Sequence, residues 1–193
     1  MKKVCLLLLL VLNVCIAQAQ FSIAPEVGLS AMSYNGAGVG WKPAIKIGAS
    51  VEYAFQSNFA LESGLFYTQR GYSKGLFDIS NEDLNMEAPS LVRHLLQIPI
   101  QARYTWNVAN DTRMFVSAGP YIGAYVANNW RNTRVYEHDD AGNTFDWGIS
   151  ASAGVEVKRC FFRLGYDISL GNEFDDGVAA RYHVGTLSVG YKF

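Results

Sequence analysis

The sequence predicts an all-β chain, an eight-stranded antiparallel up-and-down transmembrane β-barrel. Three observations predict it. Apolar and polar residues alternate at period two through most of the chain. The alternating segments run about 10 to 15 residues, the length of a tilted membrane-crossing strand rather than the five or six usual in soluble sheets. The composition has 18 Gly, 11 Tyr and 11 Phe, with 5 Pro and only 17% charged residues. A formal charge of −1 lacks the basic excess of a nucleic-acid binder. A 50% hydrophobic content excludes a disordered chain, and 193 residues suit one domain.

Residues 1–19 read as an export signal. Lys2 and Lys3 form its basic start, Val4 to Ile16 is apolar apart from Asn13, and Ala17-Gln18-Ala19 supplies the small-x-small site. Cleavage is expected between Ala19 and Gln20, leaving a barrel domain over 20–193. The apolar run is short for a spanning helix, and no basic flank follows it. Val14 before Cys15 does not fit a lipoprotein site. Loss of the leader leaves 14 basic residues, 17 acidic residues and the single Cys160. One cysteine forms no internal disulfide, and no motif supplies the histidine a cysteine nucleophile needs.

Eight segments follow. In 21–34, Phe21, Ile23, Val27 and Leu29 alternate with Ser22, Glu26, Gly28 and Ser30. In 43–55, Ile45, Ile47, Val51, Tyr53 and Phe55 oppose Lys46, Gly48, Ser50 and Glu52. In 59–72, Phe59, Leu61, Leu65 and Tyr67 oppose Glu62, Gly64, Thr68 and Arg70. The clearest is 92–106, where Leu96, Ile98, Ile100, Ala102, Tyr104 and Trp106 oppose Arg93, Gln97, Gln101 and Arg103. In 113–127, Met114, Val116, Ala118, Ile122 and Ala124 oppose Arg113, Ser117, Gly119 and Tyr121. In 144–158, Phe145, Trp147, Ile149 and Val155 oppose Asp146, Ser150, Glu156 and Lys158. In 161–171, Phe162, Leu164, Tyr166 and Ile168 oppose Arg163, Gly165 and Asp167. In 183–193, Leu187, Val189, Tyr191 and Phe193 oppose Thr186, Ser188 and Lys192.

Alternation alone fits a soluble lipocalin-like barrel as well. Three features favour lipid outside. No Asp, Glu, Lys or Arg stands on an apolar face, and a basic residue facing lipid at the midplane costs roughly 2–4 kcal/mol. Connections alternate short (56–58, 107–112, 159–160) and long (73–91, 128–143, 172–182), as short periplasmic turns and long outer loops do. Tyr53, Phe55, Phe59, Tyr104, Trp106, Phe162, Tyr191 and Phe193 cluster at the short-turn end as an aromatic girdle. Tyr34, Trp41, Tyr67, Trp130 and Phe145 give a looser band at the other rim.

The polar faces gather Glu26, Glu52, Glu62, Asp146, Glu156 and Asp167 with Lys46, Arg70, Arg93, Arg103, Arg113, Lys158, Arg163 and Lys192. An eight-stranded lumen is only wide enough for side chains, so these charges are expected to pair into a plug. Glu52 and Glu62 could instead act as an acid–base pair. A filled lumen argues against a diffusion pore. His94 or His183 with Ser90 could serve a lipid-modifying enzyme, and His138-Asp139-Asp140 lacks metal-ligand spacing. The acidic stretch Asp78, Glu82, Asp83 and Glu87 lacks a calcium-loop pattern. Asn110-Asp111-Thr112 matches a sequon in a turn expected on the periplasmic side. Neither a cofactor nor a catalytic residue is expected.

Leu96-Gln97-Ile98-Pro99-Ile100, Ser117-Ala118-Gly119-Pro120-Tyr121-Ile122-Gly123, Gly148 to Glu156 and Tyr191-Lys192-Phe193 carry a family resemblance over nearly the whole chain after the leader. Together they resemble the PorT-like outer-membrane β-barrel family of Bacteroidetes. The Ala-Gln-Ala cleavage site looks typical of that phylum's exported proteins. The resemblance implies an eight-stranded barrel in outer-membrane lipid, with a C-terminal aromatic like the signal read by the barrel-assembly machinery. The family's namesake acts in type IX secretion and gliding, a role that does not transfer by resemblance. A structural or interaction role through the long loops is expected, with an accessory place in a secretion complex as the alternative. Pro99 and Pro120 each delete a ladder hydrogen bond, so a bulge or kink is expected at both.

Overall fold

The computed structural model describes residues 21–34, 42–55, 58–72, 90–131, 144–171 and 181–193. Their eight strands are β1 (Phe21–Tyr34), β2 (Lys42–Ala54), β3 (Phe59–Tyr72), β4 (Ser90–Ala109), β5 (Thr112–Arg131), β6 (Phe145–Val157), β7 (Cys160–Ser169) and β8 (Tyr182–Tyr191). Each is antiparallel to the next, and β8 returns to β1 to close the barrel. Among the described residues no helix is long and apolar enough to cross a membrane, so any crossing falls to strands.

The pairing is staggered. Leu96 leads through Tyr67, Ile47, Val27, Val189, Phe162, Val155 and Met114 to Trp106, ten residues further along β4. A stagger of that size requires strands tilted by about 35–45°.

The two faces separate by chemistry. Leu29, Leu164 and Leu187 are 73%, 64% and 61% exposed, whereas Arg70 is 0% and Glu62 1% exposed. The apolar face is therefore outside and the charged face inside. The two clusters of buried apolar residues are small: Ala24 with Phe115 and Phe161, and Met32 with Ala44 and Val184. Such a continuous apolar exterior far exceeds the few hundred Å² that a soluble monomer exposes. It suits hydrocarbon.

The structure corrects several sequence boundaries. β4 and β5 are 20 residues each and extend past both ends expected for them. The turn expected at 107–112 narrows to Asn110-Asp111, and that expected at 159–160 becomes Lys158-Arg159. Asp111 and Lys158 stand at φ 64° and 56°. Residues 1–20, 73–89, 132–143 and 172–180 lie outside the described residues. With them go the leader, the acidic 78–87 stretch, His138-Asp139-Asp140 and most of the long loops. Trp41 and the side chains of Tyr34, Ser90 and Trp130 lie outside as well.

Neither proline makes a bulge. Pairing lapses between Ser63↔Ile100 and Phe66↔Gln97, and between Pro99↔Tyr121 and Ala102↔Ala118, without any change of register. Beside the first lapse, Ser63 Oγ donates to the Pro99 carbonyl at 2.8 Å. Shifts of register fall instead at His94/Leu95 and Asn107/Ala109.

Candidate functional site

Alternation sends every second side chain of all eight strands into one lumen. Its charges form two clusters. Nearer the short turns, Arg103 donates from Nη1 to Glu62 at 2.9 Å and from Nη2 to Glu156 at 3.1 Å. Glu52 lies 3.3 Å from Arg103 Nη1. Arg163 pairs with Glu62 and Arg113 with Glu156. Lys192 Nζ reaches Glu52 at 2.8 Å and Glu156 at 3.2 Å. Glu26 accepts from Ser188 at 2.7 Å and lies 4.0 Å from Lys46 and 3.7 Å from Arg163 Nε. Glu52 and Glu62 stand directly opposite each other on β2 and β3. Like charges in that position repel, and Arg103 Nη1 between them offsets the repulsion. Cations thus hold both carboxylates of the candidate acid–base pair.

Toward the outer rim, Arg70 is fully buried and spans the lumen from β3. It lies 3.5 Å from Asp167 and 3.7 Å from Asp146 and donates to Gln97 at 3.2 Å. Gln97 donates to Asp167 at 3.2 Å, Ser150 to Asp167 at 2.5 Å and Ser169 to Asp146 at 2.5 Å. Tyr121 donates its hydroxyl to Asp146 at 3.1 Å. Arg93, opposite Arg70 in the pairing, stacks its guanidinium 3.6 Å from the Tyr125 ring centre. Buried charges persist only when compensated in this way.

Lys158 departs from its expected place. It is exposed in the β6–β7 turn at positive φ and takes no part in the lumen. The strand ends one residue earlier than the alternation suggested, and the turn points the ammonium to water.

Large rings are the lumen residues that sequence reasoning passed over. Phe66, Phe115, Phe161 and Tyr182 are buried inside. Their parity was the available signal: Phe66 keeps step with Glu62 and Gly64, and Phe115 with Arg113 and Ser117. Most of these rings rest over a glycine. A Cβ on Gly48 or Gly64 would meet the Phe66 ring at 2.7 or 2.8 Å, one on Gly148 would meet Tyr121 at 2.8 Å, and one on Gly190 would meet Phe161 at 2.5 Å. Gly154 seats Phe115 in the same way. The rings in turn face cations, with Arg103 3.7 Å above Phe115 and Lys46 4.4 Å above Phe66.

Outside, the girdle residues pair around the short-turn rim: Phe21–Tyr53 at 4.7 Å, Phe59–Tyr104 at 4.8 Å and Tyr191–Phe193 at 4.9 Å between ring centres. Tyr53 also packs edge-on against Phe55 at 5.0 Å, and Trp106 stacks on Tyr104 at 6.0 Å. Phe162 is 54% exposed on the same face. Toward the outer rim, His94 Nδ1 lies 2.5 Å from the Tyr67 hydroxyl and His183 Nδ1 3.0 Å from the Tyr166 hydroxyl. Among the described residues no three His, Cys, Asp or Glu side chains converge as a metal would require.

The model of the outer membrane protein beta-barrel domain family matches residues 12–175. The chain belongs to this family. Its apolar exterior is thereby the face turned to outer-membrane lipid. Among solved barrels of like fold, the outer membrane protein OprG from Pseudomonas aeruginosa is 13% identical, with a TM-score of 0.54 over 90% of this chain and 96% of that one. Neisserial surface protein A is 13% identical, with a TM-score of 0.50 over 90% and 97%. The outer membrane enzyme PagL is also 13% identical, with a TM-score of 0.47 over 89% and 98%. These likenesses concern fold. Comparison with curated proteins gives no significant match.

Proposed function

We propose that this member of the outer membrane protein beta-barrel domain family is a small PorT-like barrel of the Bacteroidetes type, exported by residues 1–19. Its role is structural or interaction-based and non-catalytic. The observation that carries this reading is the lumen. Arg103, Arg163 and Arg70 tie β3 and β4 to β6 and β7 across the interior. A lumen bridged at two depths is a rigid plug rather than a path for solutes. Recognition then falls to the connections between β3 and β4 and between β5 and β6, since loops on a rigid scaffold carry binding. The barrel's partners are membrane lipid, the barrel-assembly machinery during biogenesis, and a ligand or complex met by those loops.

Two experiments test this. Purified barrel in planar bilayers is expected to give no steady conductance; stable open channels of uniform size would overturn the plug. Crosslinked pull-downs are expected to recover a partner that is lost when 73–89 or 132–143 is shortened. The accessory-subunit reading, favoured by the PorT-like strings, adds that deletion lowers secretion of other proteins. A lipid-modifying activity at His94 or His183 would show as a lipid profile altered by the H94A/H183A pair. Each imidazole meets a tyrosine hydroxyl, and no alteration is expected.

A further inference from the structure

We propose that the outer wall holds one acyl chain of a phosphate-bearing lipid of the outer leaflet, with the headgroup at Tyr166 and His183. The lipid-facing wall is not smooth. Ala102, Ala118, Ala151, Tyr166, Gly185 and Ala31 are successive partners across β4, β5, β6, β7, β8 and β1. Small residues along this row floor an open groove of about 660 Å³ bordered by Phe59, Tyr104, Leu164 and Tyr166.

The barrel itself does not demand this smallness throughout. A Cβ on the inward-facing Gly48 or Gly64 would run into the neighbouring strand, but one on Gly185 would meet only Ala31 O at 4.0 Å. Gly185 is small where there is room for more. The vacancy is on the lipid side.

Direction and ends identify the occupant. Ala102 lies well down β4, seven residues before its end at Ala109, while Gly185 lies three residues from the outer end of β8. Because the pairing is staggered, the row climbs obliquely from the girdle side to the outer rim. From Ala102 to Gly185 it crosses four strand spacings of about 4.8 Å, roughly 19 Å in all. Two barrels side by side touch along a line parallel to the membrane normal. A furrow that winds over six strands does not follow such a line, whereas a flexible hydrocarbon chain can.

At the outer end of this row stands a polar pair, one of two Tyr–His pairs toward that rim. The Tyr166 hydroxyl is 3.0 Å from His183 Nδ1, with Gly185 directly opposite Tyr166. Nδ1 faces the Tyr166 hydroxyl, which leaves Nε2 as the ring nitrogen that meets a headgroup oxygen. Chain in the furrow and phosphate at the pair account for both features. The inference rests on the outer-membrane location and is independent of the reading of the loops.

The test is native mass spectrometry of the barrel isolated from membranes and exchanged into detergent containing dipalmitoyl phosphatidic acid. The wild type is expected to retain one lipid per barrel, and Ala151→Phe, which fills the floor, at least tenfold less. His183→Leu is expected to remove the preference for phosphatidic acid over dipalmitoylglycerol while leaving retention of the latter unchanged. Heat-dependent gel mobility reports that each variant is folded, and Gly185→Val replaces Ala151→Phe if that variant does not fold. Equal retention by the floor variant would overturn the proposal. So would a dimer mass in the wild type that the floor variant abolishes, since the groove would then be a seam between barrels.

Discussion

Replacing Arg103 by Met tests the physics of the lumen most directly. Arg103 is 2% exposed at its side chain and contacts three carboxylates, Glu62 at 2.9 Å, Glu156 at 3.1 Å and Glu52 at 3.3 Å. Methionine keeps much of the length over the Phe115 ring and removes the charge. Taking one partner from a buried ion pair typically costs about 3–5 kcal/mol, because the remaining charge stays buried without compensation. Here each orphaned carboxylate keeps another cation: Arg163 at Glu62, Arg113 at Glu156, and Lys192 at Glu52 and Glu156. The loss should therefore fall at the low end, about 3 kcal/mol. With a urea slope of about 2 kcal/mol/M, the unfolding midpoint should drop by about 1.5 M. The assay is reversible urea unfolding of the barrel in lipid vesicles, read by tryptophan emission and by the heat-shifted band on a gel. Adding Glu62→Gln to Arg103→Met should cost less than the two single losses combined, since each single change deletes the same Arg103–Glu62 pair. A single-variant loss below about 1 kcal/mol would refute the reasoning. The lumen charges would then behave as solvated surface pairs.

Other outcomes follow from the same geometry. Gly48→Ala should be far more damaging than Gly123→Ala: the first meets the backbone of Leu65 and Phe66, the second meets chiefly the movable Leu95 side chain at 2.8 Å. Unfolding free energies should separate the two by at least about 1 kcal/mol, a urea midpoint difference of about 0.5 M, and equal midpoints would contradict the seating of the rings. Lys158→Gly relieves a left-handed backbone at φ 56° and should stabilise the barrel by about 0.5–1 kcal/mol; a lowered midpoint would count against it. Leu164→Arg, on the lipid face within β7, should cost roughly 2–4 kcal/mol, while Val157→Arg at the turn should cost about 0–1 kcal/mol. Equal costs in vesicles would place the bilayer elsewhere on the wall.

Strand number, direction and the two faces were legible in the sequence because period-two alternation is a local property. Leu96 to Trp106 against Arg93 to Arg103 fixes which side each residue takes without knowledge of any partner. The bounds of β4 and β5 were less legible. Beyond Trp106 on one and Val126 on the other, the pattern fades while hairpin pairing continues as far as Ser90↔Arg131. The inward residues could be named, but not their pairing across the barrel. That depends on the stagger, which brings Arg70 beside Asp167 although 97 positions separate them. Lys158 kept the parity of the lumen and was lost to the turn. At the prolines the ladder lapses for two positions and resumes in the same register, so the missing N–H needs no extra residue and the bulge half of the expectation fails.

The stagger of ten residues also bears on how the closed form is chosen. β1 and β8 meet last in sequence, with Glu26 opposite Gly190 and Tyr34 opposite Tyr182. Their backbones would hydrogen-bond equally well in other registers. A slip of one residue in β7 would turn Arg163 and Asp167 out into hydrocarbon and draw Phe162 and Leu164 into the lumen. A slip of two keeps the faces but moves Arg163 away from Glu62 and Asp167 away from Arg70. The lumen charges thus act as a proofreading code for closure. Lipid rejects every odd error, and unpaired charge rejects the even ones.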